Sequence, residues 1–181
     1  MRLGSLDVVV PALDQAALLP APVQTALRAW TGAEQVGVAG IDPELSDTAA
    51  FGQAYDVPAS ASANCVVIAG RRGGEERIAA CVVLATTRAD VNTVVKRRLD
   101  VRKCSFLPME RAVELTGMEY GGITPVGLPD GWPVLVDAAV LEQPLVVIGS
   151  GVRRSKLVLP PRLLTTLPHA EVIDGLARPV D

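Results

Sequence analysis

The sequence predicts a mixed α/β sheet in one domain rather than a strict βαβ fold, because β-branched runs and amphipathic helical segments are interleaved and two of the runs are joined across a polar turn. Length and composition agree. With 181 residues, 49% of them hydrophobic, the chain can bury a core without disulfides. Only 3% of the residues are aromatic, so Val, Leu, Ile and Ala must fill that core.

Along the chain, Val23, Ala26, Leu27 and Trp30 recur every three or four residues behind Pro22, which suits a first helical turn. Residues 35–41 alternate weakly and end in Gly40 as a strand. Ser46-Asp47-Thr48 supplies an N-cap for a helix that stops before Val57-Pro58. Residues 64–69 and 78–85 read as the arms of a hairpin with a polar tip over 70–77, placed at the sheet centre. Asp90 can cap a helix whose inward stripe is Val91, Val94, Val95 and Leu99, leaving Lys96, Arg97 and Arg98 outward. A short extended step at Ser105 and Phe106 precedes a helix opened by Pro108, with Ala112, Val113 and Leu115 inward and Gly117 as its stop. A Gly- and Pro-rich loop over 117–131 follows. Strands at 134–136, 145–148 and 157–159, a helix over 161–167 and an edge strand at 171–173 complete the expectation.

Seventeen Lys and Arg against twenty Asp and Glu give a formal charge of −3, which argues against a nucleic-acid coat protein held by overall charge. Residues 1–60 carry two basic and seven acidic side chains, so the positive groups gather later: Arg71-Arg72, then Lys96-Arg97-Arg98 with Arg102 and Lys103, then Arg153-Arg154 with Lys156. Cys65, Cys81 and Cys104 lack CxxC spacing and read as reduced core thiols. A single histidine, His169, allows no His-pair metal site and reads as a surface turn residue. No metal or cofactor is expected. With no signal-peptide pattern and no apolar run of membrane-spanning length, the expected compartment is the cytoplasm, with neither membrane nor DNA as partner.

The loop over 121–127 carries three glycines and a proline, more than a connector requires. It can present main-chain N–H groups to a carbonyl or a developing oxyanion, or serve as a structural turn. Gly149-Ser150-Gly151 begins like a dinucleotide fingerprint, but Arg154 occupies the position of its last glycine. Cys65 has no histidine near it in sequence and reads as a core thiol.

Leu115-Thr116-Gly117, Gly121-Gly122-Ile123-Thr124-Pro125-Val126-Gly127, Pro133-Val134-Leu135-Val136-Asp137 and Val146-Val147-Ile148-Gly149-Ser150-Gly151 together resemble, in order and spacing, the YbaK/ProX family of aminoacyl-tRNA deacylases. That family is related to the editing insertion domain of bacterial prolyl-tRNA synthetase. The resemblance begins near Ser46, making 46–181 the deacylase-like domain and 1–45 an N-terminal helix and strand packed on it. It implies a compact α/β domain with a curved mixed sheet flanked by helices. It implies a free-standing trans-editing hydrolase for the ester between a wrong amino acid and a tRNA 3′ end, with alanyl- or cysteinyl-tRNA for proline as first candidates and a synthetase as a further partner.

By the same resemblance, the GxxxP loop from Gly121 to Pro125 lines the aminoacyl pocket and, with Gly122, positions the ester carbonyl for water. Ile123, Thr124, Asp137, Gly149, Ser150 and Gly151 are the implied substrate-binding positions, Asp137 either orienting the ligand or bracing the loop. Lys96, Arg97, Arg98, Arg153 and Arg154 are candidate tRNA contacts. Family members commonly carry a lysine where Asn64 stands here. Asparagine donates and accepts hydrogen bonds without charge. Either Asn64 orients the water or a ribose hydroxyl while arginines bind phosphate, or the pocket holds an aminoacyl or tRNA end without turnover.

Overall fold

The computed structural model describes residues 1–180. In chain order its elements are α1 (Ala21–Ala29), β1 (Gly37–Gly40), α2 (Thr48–Tyr55), β2 (Ala63–Arg72), β3 (Glu75–Leu84), β4 (Thr87–Ala89), α3 (Lys96–Arg98), β5 (Cys104–Phe106), α4 (Met109–Thr116), β6 (Val134–Asp137), α5 (Ala138–Leu141), β7 (Val146–Gly149), β8 (Ser155–Leu159), β9 (Ala170–Ile173) and β10 (Ala177–Pro179). They form a mixed α/β domain. A five-stranded sheet runs β5-β2-β3-β6-β9, antiparallel on the hairpin side and parallel from β3 to β6 to β9. A three-stranded antiparallel sheet runs β1-β8-β7, and β4 pairs with β10. A parallel bridge between Ser62 and Val147 joins the two larger sheets beside the start of β2.

β3 is central because both of its faces are covered, which is why it reads as a continuous apolar run. Val82 and Leu84 enter the core between the sheets with Val136, Ile148, Leu157 and Leu159. Cys81 and Val83 face the other way, under Val95 and Leu99. The N-terminal segment contributes Val23, Leu27, Trp30 and Val38 to the inter-sheet core, and β1 is hydrogen-bonded to β8 as a sheet edge.

Several expectations are corrected. The hairpin tip is two residues, Gly73 and Gly74, both at positive φ (59° and 88°), and the ladder continues through Gly70↔Arg77, Arg71↔Glu76 and Arg72↔Glu75. A Gly-Gly pair suits the mirror-image turn that matches strand twist; opposite charges face each other across the ladder, while Arg72 pairs with Asp100 and Glu76 with Arg111. Asp90 caps as expected, its carboxylate accepting from Thr93 N, but the helix opens with a wide turn over Val91–Val95 before α3. Val95 and Leu99 are buried while Val91 and Val94 are half-buried. In α4, Ala112 and Thr116 are buried and Val113 and Leu115 lie outward at 37% and 39% exposure. Residues four apart share a helix face, and Ala112 of this short helix packs with Val67 and Leu107. The segment expected as a helix over 161–167 is a 3-10 turn, Pro161–Thr166. His169 occupies a turn at φ 57° and its Nε2 lies 3.0 Å from Asp130 Oδ1. All three cysteines are free.

Leu135, fully buried on β6, should be costly to truncate: Leu135→Ala is expected to remove about 2–5 kcal/mol of unfolding free energy. Val113→Ala, on the outward face of α4, should change it by no more than about 0.5 kcal/mol. Urea denaturation of both variants checks the assignment of inner and outer faces.

Candidate active site

A cavity of about 560 Å³ opens beside the Ser62–Val147 bridge that joins the two sheets. The start of β2 and the end of β7 form its floor, the first turn of α2 one wall, and Gly121 and Ile123 of the glycine-rich loop another. Asp47 caps α2 through its carboxylate, which accepts from Ala49 N, and so fixes Thr48 at the cavity edge. Thr48 Oγ1 donates to Asn64 Oδ1 at 2.9 Å. That bond leaves the Asn64 amide N–H groups for a ligand.

The loop owes its position to contacts between main chains. Glu119 N donates to Gly151 O at 2.8 Å, Gly151 N donates to Gly122 O at 2.7 Å, and the Glu119 carboxylate accepts from Arg153 N at 2.6 Å. A Cβ on Gly149 would lie 2.4 Å from Gly122 O, and one on Gly122 would lie 2.6 Å from the Val152 carbonyl carbon. Gly121, at φ 82°, passes beneath Arg153, whose Nη1 would be 3.0 Å from a Cβ there. The Gly122 N–H is committed to Glu119 O at 3.0 Å and therefore does not serve as a donor to the cavity.

Lys156 enters the same cavity from β8. Its Nζ donates to Ser46 O at 2.9 Å and lies 5.3 Å from the Phe51 ring centroid, with the residue 8% exposed. Burial pushes its pKa below the ordinary lysine value and Arg153 adds to this, while Asp47 opposes it. Between that lowered value and the ordinary 10.5, the unfolded chain binds more protons than the native one, so this group makes stability rise with pH across that window. Cys65 borders the cavity as well, and burial raises its thiol far above the thiolate range at neutral pH. Cys81, next to it in space, is pushed up to about 12 by burial.

Comparison with known proteins agrees with this architecture. Residues 42–167 match the family described as the aminoacyl-tRNA editing domain. The chain belongs to that family. Among solved structures, it is similar to a candidate trans-editing enzyme for prolyl tRNA synthetase, with 25% identity and a TM-score of 0.72 over 84% of this chain and 93% of that one. It shares its fold with the hypothetical protein APE2540, at 21% identity and a TM-score of 0.72, over 87% of this chain and 99% of that one. A search of curated proteins finds no match.

The expected positions in this editing domain divide into two groups. Asn64, Gly121, Ile123, Gly149 and Arg153 border the cavity. The others lie outside it. Gly122 clamps the loop, and Pro125 lines a separate hollow beside Trp30. Thr124 is buried without a hydroxyl partner. Asp137 neither borders the cavity nor bonds the glycine-rich loop; its carboxylate caps α5 by accepting from Ala139 N and ties in β10 by accepting from Ala177 N at 2.6 Å. Ser150 Oγ bonds Ser155 Oγ at 2.7 Å inside the β7–β8 turn, and Gly151 (φ 88°) packs on Pro20. Arg154 donates to Ala17 O. Lys96, Arg97 and Arg98 sit over the sheet face opposite the inter-sheet core, with Arg98 paired to Glu171. Lys156 was legible only as part of a basic cluster, because the strand was expected to begin one residue after it. Extending the alternation back from Val158 would have placed it inside.

The main-chain contact at Gly149 leaves no room for a methyl group. Gly149→Ala is expected to cost about 1–3 kcal/mol and to loosen the loop. Thermal unfolding together with protection of the Gly151 amide in hydrogen exchange checks this.

Proposed function

We propose that this editing domain is a deacylase acting in trans on mischarged tRNA, and that the cavity between the sheets receives the aminoacyl 3′ end. The observation that carries this reading is the convergence on one cavity of Asn64, with its oxygen held by Thr48, and an apolar patch of Val67, Leu107 and Ile123. Water adds to the ester carbonyl carbon, and the carbon–oxygen bond to the ribose breaks. The ribose oxygen takes a proton and the amino acid leaves as its carboxylate. The nucleophile is water, because the Cys65 thiol is held protonated and His169 is engaged elsewhere, beside Asp130. The apolar patch suits a small side chain, and alanyl- and cysteinyl-tRNA for proline are the first substrates to test. One methylene is worth only about 1–3 kcal/mol in such a pocket, so a second, hydrolytic selection is what a synthetase lacks.

At the rim, Phe106 and Tyr120 are exposed although they border the cavity, and Arg153 lies between loop and turn. Aromatic faces and a guanidinium suit the bases and phosphates of a single-stranded end. Arg153 is therefore favoured over Lys96, Arg97 and Arg98 as the contact to the tRNA end.

Purified alanyl-, cysteinyl- and seryl-tRNA for proline, with prolyl-tRNA as control, test the reading. Hydrolysis of one mischarged species well above the buffer rate is expected, with Asn64→Ala reducing it. Saturable binding of all four without hydrolysis would leave a binding module, the alternative that the uncharged Asn64 favours. For the rim, Tyr120→Ala and Phe106→Ala should each weaken tRNA binding by about 1–3 kcal/mol. Arg153→Gln should lower the slope of log affinity against log salt by about one, and Arg97→Gln should leave it unchanged.

A further inference from the structure

The alternation along β8 sends Leu157 and Leu159 into the inter-sheet core and Val158 toward Phe51 and Val147. Lys156 is on the same side of the strand as Val158, so a charged group occupies a place that an apolar side chain would fill at lower cost. One of its three N–H donors goes to Ser46 O. The others have no partner among the described residues, and the Phe51 ring offers only a diffuse attraction. Ser46, 3% exposed, borders this end of the cavity, and its hydroxyl has no hydrogen-bond partner among the described residues; Ser62, 4% exposed and likewise unpartnered, lines the same cavity at the bridge to Val147. Ser46 Oγ is also 3.9 Å from where a Cβ on Gly121 would sit, which ties this end to the glycine-rich loop. Asp47 is the one acidic side chain at the cavity among the described residues, and it already caps α2, while Arg153 adds a second positive charge. This end repels an ammonium and favours an oxygen that carries or develops negative charge.

We infer that Lys156 Nζ, with the Ser46 hydroxyl beside it, forms an acceptor subsite that takes the ester carbonyl oxygen and holds the negative charge developing on it as water adds. This rests on the deacylase reading above. As the water oxygen bonds to the carbonyl carbon, the carbonyl π pair moves onto the carbonyl oxygen. The ammonium keeps its protons and stabilises that anion. The pair then returns as the bond to the ribose oxygen breaks.

The test compares wild type with Lys156→Met in deacylation, thermal unfolding and the binding of two adenosine analogues. One analogue carries an alanyl amide in place of the 3′ ester, and the other a tetrahedral phosphonate anion. Lys156→Met is expected to lose about 10²- to 10³-fold in kcat with little change in KM, and to lose phosphonate affinity while keeping amide affinity. Its Tm should be unchanged or raised, because a buried charge is replaced by an apolar side chain of similar length. Ser46→Ala, which removes a hydroxyl without a partner among the described residues and keeps the carbonyl that Lys156 bonds, should likewise keep its Tm and lose phosphonate affinity. It carries the test, with Lys156→Gln, if Lys156→Met does not fold. An unchanged kcat, or equal loss of both analogues, overturns the subsite and leaves the deacylase reading intact. Wild type that hydrolyses no tRNA but prefers the phosphonate through Lys156 overturns the deacylase reading and keeps the subsite. Wild type that neither hydrolyses nor prefers the phosphonate overturns both.

Discussion

At the end of β7 two stretches of main chain lie against each other with no side chain between them, and the geometry of the site depends on that contact. Gly149 sits under the carbonyl groups of Gly122 and Ile123, and Gly122 presses on Val152. The approach lets Gly151 N reach Gly122 O and brings the Glu119 carboxylate to Arg153 N. A loop held by backbone hydrogen bonds is positioned more rigidly than one held by side chains, whose rotamers add freedom. Because Gly122 and Gly151 are spent on this clamp, the loop acts mainly as a wall, and polar side chains that border the cavity, Ser46, Thr48, Asn64, Arg153 and Lys156 among them, lie outside it.

The second organising feature is the burial of charge. An ammonium at 8% exposure is costly, and Ser46 O, the Phe51 ring and the nearby Asp47 carboxylate only partly offset that cost. Its lowered pKa expresses the imbalance. Buried groups left incompletely satisfied in the free protein tend to collect where a ligand completes them. Ser46 and Ser62, whose hydroxyls have no partner among the described residues, border the cavity; Thr124, also unpartnered, lies outside it, and Ser150 and Ser155 are bonded to each other and to backbone.

The two sheets explain why such a cavity exists at all. They share a core through alternate residues of β3, β6, β7 and β8, and the bridge at Ser62 ties the start of β2 to β7. The cavity lies beside that bridge, between the start of β2 and the end of β7, with α2 along one side. It is lined by opposite chemistries, apolar at Val67, Leu107 and Ile123 and polar at Asn64 and Lys156. An aminoacyl ester, with an apolar side chain beside a polarised carbonyl, has the same division.

Much of this was written in local pattern. The β-branched runs, the Asp47 and Asp90 caps, the Pro108 start and Gly117 stop of α4, and the glycine-rich loop all act over a few residues, so periodicity and turn chemistry exposed them. The family was likewise legible from motifs spread from Leu115 to Gly151, and Asn64 could be singled out by its place before the hairpin. Tertiary structure decided what depends on partners distant in sequence. Which face of α4 is buried depended on what Ala112 packs against, and which glycines clamp rather than contact a ligand depended on Val152 and Gly149. Whether Lys156 was a surface charge or a cavity group depended on Phe51 and Ser46, more than a hundred residues away. Sequence determines a residue's chemistry and its side of a strand, but burial is a property of what packs against that side, and only the folded chain brings those atoms together.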